Sequence, residues 1–396
     1  MHDTDRSVAP TNPQTPGGAE LVAAAEALVP LLRARAVEDQ QARRISGDTI
    51  ARMVGAGLFR VLQPRRWGGF ELGQQVFADV QMTLARGDMS VAWVYGVLGV
   101  HAYHLGLYDD RAAADVWDRD SSVLISSPYM PGGNARSVPG GYRLSGRWSY
   151  SSGCDHCPWT FLGGFVDGDP SRFHSFLLPR EDARIVDAWH TGGGLAATGS
   201  QDIVVSDAFV PAHRTHSYRD GFLGTNPGRA VNDGPLFRMP FNLVFMRCIT
   251  NGQIGSLEYL LEIFRDPESW TGAAPDRDPD LLFAIADARG EVAGLKGVMS
   301  ANFAAMERHA LADEMPPMES RHLFRFQSAR VADTCLRHGE TLALHALQLR
   351  PETRHLVERI VANMRVGRQH AAANHRNYGR IFGDLLMGND PQDILL

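Results

Sequence analysis

Hydrophobic and polar positions change rhythm twice along the chain. Over residues 19–118 the apolar residues recur at helical spacing. Residues 19–32 are rich in Ala, Leu and Glu, all strong helix formers. Ser46 can cap a second helix, with Thr49, Ile50, Met53 and Val54 on its apolar side and an end at Gly55 and Gly57. A third helical stretch covers residues 75–84. It leads past Ser90 into an apolar run, residues 91–100, which predicts a buried helix with His101 at its end and His104 one turn later. From residue 121 to about 217, short runs of strand formers replace helical spacing: residues 123–127, 142–145, 160–166, 173–179, 203–205 and 208–210, separated by Gly, Pro and Asp turns. Strands at such regular spacing predict a small β-barrel or sandwich. After a Gly- and Asn-containing connector at 221–234, helical spacing returns over residues 241–264, 279–312, 319–349 and 352–382. Pro275, Pro279, Pro316, Pro317 and Pro351 punctuate these stretches, which read as a four-helix bundle. No internal repeat is visible.

The order predicts an α+β protein: a flexible arm at 1–18, a helical domain at 19–120, a β-barrel domain at 121–220 and a helical bundle at 221–396. With 396 residues, 44% of them hydrophobic, the chain can bury a large core. The net charge of −6 argues against a general nucleic-acid surface. No apolar run approaches the roughly 20 residues of a membrane span, and the polar start has no apolar signal core. Four cysteines are not a disulfide framework. Cys154 and Cys157 form a C-x-x-C, but no second pair stands at zinc spacing, so no metal site is expected and a reduced, cytoplasmic protein fits best.

The common catalytic signatures are missing. No phosphate-binding loop, dinucleotide fingerprint, zinc-protease motif or nucleophile elbow occurs. Two clusters hold candidate chemistry instead. Residues 146–159 place Trp148, Ser151, Ser152, Gly153 and Trp159 around one strand end. Small hydroxyls beside glycine let a planar ligand approach the backbone, although an ordinary strand ending in a Ser-Gly turn has the same residues. The second cluster lies in the last helical stretch: Arg365, Arg368, His370, Asn374, His375 and Arg376. His370 and Asn374, four apart, should share a helix face, where a carboxamide can orient an imidazole that accepts a phenol proton. A solvated basic helix end accounts for the cluster equally well. His101 ends an apolar helix, and Ser126 and Ser127 end an apolar strand; a core histidine and a plain strand end are the bland alternatives.

Taken together these residues carry a resemblance. The chain resembles the oxygenase components of two-component flavin-dependent monooxygenases with the acyl-CoA dehydrogenase fold, a family that includes seco-steroid phenol hydroxylases and p-hydroxyphenylacetate hydroxylase oxygenases. The likeness runs from about residue 20 to the C-terminus. It rests on Leu62-Gln63-Pro64 with Trp67-Gly68-Gly69, Gly99-Val100-His101, Ile125-Ser126-Ser127, Gly146-Arg147-Trp148 with Ser151-Ser152-Gly153, Thr198-Gly199-Ser200, and His370-Ala371-Ala372. The resemblance implies that Trp148, Ser151 and Ser152 contact the isoalloxazine, and that Thr198 and Ser200 help close the flavin site. It implies that His101, Ser127 and His370 face the substrate, with His370 the base that generates a phenolate and Asn374 beside it. It further implies reduced FMN or FAD from a separate reductase, O2 as co-substrate, a flavin C4a-hydroperoxide, a phenolic or polycyclic aromatic substrate and a homotetramer. Asn374 departs from the aspartate of the seco-steroid enzymes, which points to a different substrate. An acyl-CoA dehydrogenase, an N-oxygenase of an amine or amino-sugar, and a non-catalytic flavin-binding protein are the alternatives. The first needs a carboxylate base, and Glu352 and Glu358 fall well before His370.

Overall fold

The computed structural model describes residues 15–191, 193–271 and 278–389. The arm expected at 1–18 lies outside the described residues up to residue 14, as does Pro275. Five helices come first: α1 (Gly18–Ala42), α2 (Gly47–Gly55), α3 (Gln74–Ala85), α4 (Met89–Leu105) and α5 (Asp110–Trp117). Ser46 caps α2 as expected, accepting from the Thr49 N–H at 3.2 Å. The apolar run is part of α4, which extends a full turn past His101 and so takes both His101 and His104 inside the helix. Asp88 starts it by accepting from the Ser90 and Val91 N–H groups. A helix that is apolar all round must be buried all round. In α4 every residue is buried except Trp93, which is half-exposed.

Eight strands follow: β1 (Ile125–Ser126), β2 (Pro131–Val138), β3 (Gly141–Ser151), β4 (Trp159–Val166), β5 (Asp169–Pro179), β6 (Arg184–Val186), β7 (Gln201–Pro211) and β8 (Thr215–Ser217). They form one sheet in the order β6-β7-β3-β2-β4-β5-β8, with β1 parallel to β4. The path ends at β6 and β8, and among the described residues no pairing joins those ends. The sheet is therefore open where a closed barrel was one expectation. Its residues still surround a core of their own, with Leu144, Trp148, Leu162, Phe176 and Ile203 all nearly solvent-free. Period-two alternation explains this: one face of each strand turns inward and excludes water.

The chain then forms α6 (Tyr218–Leu223), α7 (Phe241–Arg265), α8 (Pro279–Leu311), α9 (Met318–Leu344), α10 (Pro351–Gly367) and α11 (His375–Leu386). The first two long helices match expectation within a residue. The helix expected over 319–349 gives way after Leu344 to a short 3-10 turn. The one expected over 352–382 is broken in two. Gly367 ends α10, a 3-10 turn covers Ala371–Ala373, and α11 restarts at His375 with Asn374 as its cap. Asn is among the best N-cap residues, so the restart has a local signal that helical spacing alone conceals. α7 packs against α3, α4, α8, α9 and α10, which makes it the central helix of the fold.

Candidate active site

A one-residue irregularity in β3 builds the site. Against β7, Trp148 pairs with Ile203 while Ser151 pairs with Gln201, so β3 holds an extra residue between them. Such a bulge resets the alternation of side chains. Trp148 and Ser151 both turn inward, while Tyr150 points outward, 67% exposed, at a φ of +70°. Left-handed backbone at a bulky residue costs about 1–3 kcal/mol and persists only where the surroundings impose it.

This overturns one expectation. Trp148 is enclosed in the sheet core, and its indole N–H donates to the Gly163 carbonyl at 2.6 Å. It does not lie open to a cofactor. Ser151 is equally enclosed, with its hydroxyl beside the buried Cys154 thiol. The aromatic presented at this strand end is Tyr150, edge-on to Trp189 at 6.1 Å. Sequence alternation without the bulge hid it.

The other three expected hydroxyls converge. Ser152 and Ser200 lie 2.7 Å apart, as do Ser200 and Thr198. Thr198 donates to the Leu195 carbonyl at 2.8 Å, and the Trp93 indole N–H donates to Ser152 at 3.2 Å. The Thr198 end sets the direction of the whole chain. Ser200 must donate to Thr198, and Ser152 to Ser200. Ser152 thus has no proton to give and one lone pair left to accept with. Gly153 completes the turn at a φ of +70°, pressed so close to α4 that a β-carbon would stand 2.9 Å from Val94.

The loop after β6 ties this strand end to the C-terminal helices. The Leu195 N–H donates to Asn363 of α10 at 2.7 Å. Gln253 of α7 donates to the Met364 carbonyl at 3.0 Å, holding the end of α10 in place. His370 follows in the break and packs edge-on against Trp93 at 5.6 Å. Trp93 therefore stands between the hydroxyl chain and the imidazole. It was not singled out from the sequence; a lone indole within an apolar run was the available signal, since an indole N–H turned into the protein needs a partner.

His370 and Asn374 do not share a helix face. The break separates them, and Asn374 is exposed and capping α11 through the Asn377 N–H at 3.2 Å. His370 is half-buried, and its Nδ1 accepts from the Ala372 N–H at 3.0 Å. Loss of hydration lowers its pKa to about 4. A neutral ring whose Nδ1 accepts carries its proton on Nε2, so His370 is oriented as a donor rather than a base.

His101 has the opposite polarity. It is solvent-free, and its Nδ1 donates to the Ile125 carbonyl at 2.5 Å. Its Nε2 is buried without a partner among the described residues and is an acceptor. Desolvation brings its pKa down to about 4. Tyr129 and Phe161 pack edge-on at 5.5 and 5.7 Å. Ser127 is half-buried two residues before Tyr129. Trp93 and His101, eight residues apart, lie on one side of α4 and about 12 Å apart along it.

The C-x-x-C thiols are buried and free. Burial pushes Cys154 up to about 12, and Cys157 donates weakly to the Gly153 carbonyl.

Buried neutral histidines make stability depend on pH. His101 and His216 both have folded pKa values near 4, against 6.5 when exposed. Below 6.5 the unfolded chain binds protons that the folded chain refuses. Stability is thus complete above pH 6.5 and falls until about pH 4, by about 3 kcal/mol for each histidine. Thermal melting from pH 8 to pH 4 should show this decline, and a midpoint that stays level across the range contradicts neutral burial.

No family model matches the chain. Individual proteins do. The oxygenase subunit HsaA of a flavin-dependent monooxygenase from Rhodococcus jostii is 37% identical over 304 residues, covering 75% of this chain and 79% of that protein. The oxygenase component of p-hydroxyphenylacetate 3-hydroxylase from Acinetobacter baumannii is 25% identical over 98% of this chain and 94% of its own. The crystal structure of a Rhodococcus 3-HSA hydroxylase superposes with a TM-score of 0.89 at 33% identity, covering 95% of this chain and 99% of that one. Agreement over nearly the whole fold defines the class as monooxygenase. The chain belongs to the oxygenase subunits of flavin-dependent monooxygenases. Among its described residues no helix is long and apolar enough to cross a membrane.

Proposed function

We propose that this chain hydroxylates a phenolic or polycyclic aromatic substrate, using reduced FMN or FAD delivered by a separate reductase. The observation that carries the reading is Trp93. It links a proton-ordered hydroxyl chain to an imidazole, on the helix that also bears a buried, unpartnered His101 acceptor. The residues fit a reduced flavin. Its N5–H is a donor, and Ser152 offers a lone pair with its own proton committed to Ser200. Tyr150 presents an exposed ring beside it, while Thr198 and Ser200 hold the serine in place. Reduced flavin, when bound, supplies two electrons to O2, so that one oxygen atom enters the ring and the other leaves as water.

The protein's share is orientation and proton control. His101 Nε2 accepts the substrate O–H, with Ser127 nearby. An imidazole near 4 is about six units too weak to strip a phenol near 10 in the resting complex. His101 therefore polarises the O–H, and the proton transfers during the chemical step rather than ahead of it. His370 Nε2–H donates into the site from the other side of Trp93. Asn374 serves this arrangement by restarting α11 and so shaping the break that presents His370. A three-part acyl-CoA dehydrogenase-like layout, divided near residues 120 and 220, a homotetramer and a cytoplasmic setting complete the reading.

The direct test supplies the protein with reduced flavin, 18O2 and a panel of phenols. A product carrying one 18O atom is expected, and consumption of reduced flavin without any labelled product defeats the proposal. Ser152→Ala should weaken binding of reduced flavin about tenfold and of oxidised flavin far less, because only the reduced ring has the N5–H. Anaerobic titrations of both forms measure this; equal losses would show that the serine does not read the redox state.

A further inference from the structure

His104 was counted from the sequence but given no role, and the oxygenase reading above does not use it. It is solvent-free and stacked on Phe241 at 3.9 Å. Its Nδ1 lies 2.7 Å from the Tyr129 hydroxyl, and its Nε2 lies 3.1 Å from His216 Nδ1. His216 Nε2 in turn lies 2.8 Å from Asn226 Oδ1. Four parts of the chain meet here: α4, the link between β1 and β2, β8, and the cap of the 3-10 turn Pro227–Ala230. His216 and Asn226 are themselves almost solvent-free.

Hydrogen-bond counting gives this buried chain a direction. Desolvation keeps both imidazoles neutral, so each has one donor and one acceptor nitrogen. Asn226 turns its carbonyl oxygen to His216 and leaves its Nδ2 buried without a partner among the described residues; with the amide so placed the oxygen can only accept, and His216 Nε2 donates to it. His216 Nδ1 must then accept from His104 Nε2–H, and His104 Nδ1 must accept from Tyr129. The phenol proton of Tyr129 is committed inward. Its oxygen can offer the site only a lone pair.

Tyr129 is half-buried and packs edge-on against His101, whose Nε2 is also an acceptor. Two acceptor-bearing rings therefore sit in one aromatic cluster, with Phe161, Phe241 and Phe245 packed against Tyr129. A buried acceptor left without a donor is costly, so a site with two of them selects a ligand with two donors. We propose that Tyr129 is a substrate-contacting specificity residue and that the substrate class is an aromatic ring bearing two hydrogen-bond donors, one for His101 and one for Tyr129. His104, His216 and Asn226 are positioning residues that fix the polarity of the tyrosine. This inference rests on the oxygenase reading for the location of the substrate.

Calorimetric binding of two matched pairs tests it: catechol against guaiacol, and resorcinol against 3-methoxyphenol. Methylation removes one donor and keeps an acceptor. The wild type should bind at least one diol about tenfold more tightly than its ether. Tyr129→Phe should bring that pair within about twofold. Asn226→Asp retains an acceptor at the end of the chain and should preserve the preference. Asn226→Leu frees the chain to reverse and should erase it, which loss of packing alone would not do selectively. The Asn226 variants also carry the test if Tyr129→Phe does not fold. No preference in the wild type, or an undiminished one in Tyr129→Phe or Asn226→Leu, overturns the inference. Labelled product from the 18O2 experiment with no diol preference would leave the oxygenase reading standing. A diol preference that depends on Tyr129, with no labelled product from any phenol, would sink the oxygenase reading while the binding site survived.

Discussion

His101→Asn should lower product formation at least about a hundredfold while oxidation of reduced flavin continues, with the lost product replaced by hydrogen peroxide. The shorter amide can still donate toward the Ile125 carbonyl but has no imidazole lone pair. Removal of a positioned acid–base group typically costs 10²–10⁴ in rate. The wild-type pH profile provides an independent check. An exposed histidine acting as base would lose activity below about pH 6.5. His101 stays neutral until about pH 4, so the coupling of flavin oxidation to product should be level from pH 8 down to about 5. Product yield in His101→Asn near that of the wild type, or a wild-type midpoint near 6.5, would remove His101 from the acceptor role.

Adjacent glycines should respond in opposite ways to the same substitution. A β-carbon on Gly194 would stand 2.1 Å from the Ala362 carbonyl oxygen, a backbone atom that cannot step aside. A β-carbon on Gly193 meets nothing within 4 Å. Gly194→Ala must push the loop off α10, straining the Leu195–Asn363 hydrogen bond and displacing Thr198 and Ser200 from Ser152. Overpacking of this kind costs about 1–3 kcal/mol. The larger effect should fall on reduced-flavin affinity, with a loss of tenfold or more. Gly193→Ala should leave both stability and affinity unchanged. Melting curves and anaerobic flavin titrations of the pair decide the matter. Equal behaviour of the two variants would mean that the loop does not need its close seat on α10.

The residues that sequence pattern located best are those whose surroundings are local. The cap at Ser46 and the all-apolar helix around His101 depend on neighbours a few positions away. Trp148 and Tyr150 show the limit. Strict alternation is a sound rule for strands, but one extra residue in β3 inverts it locally, and that extra residue exists only relative to β7. The pair His370 and Asn374 shows a second limit. Four-residue spacing has meaning only within an unbroken helix, and α10 stops at Gly367.

By itself the sequence determined the succession of helical, strand and helical segments, the extent of the apolar core and the inventory of hydroxyls and imidazoles. These follow from periodicity and composition, which act along the chain. Only the tertiary structure decided which of those groups accept and which donate. The Ile125 carbonyl sets one polarity for His101, the Ala372 N–H sets the opposite one for His370, and Asn226 orders a chain that reaches Tyr129 from some hundred residues away. A neutral imidazole or a hydroxyl has no preferred direction of its own. Its direction is fixed by whichever partner lacks a choice, and those partners are brought together by folding.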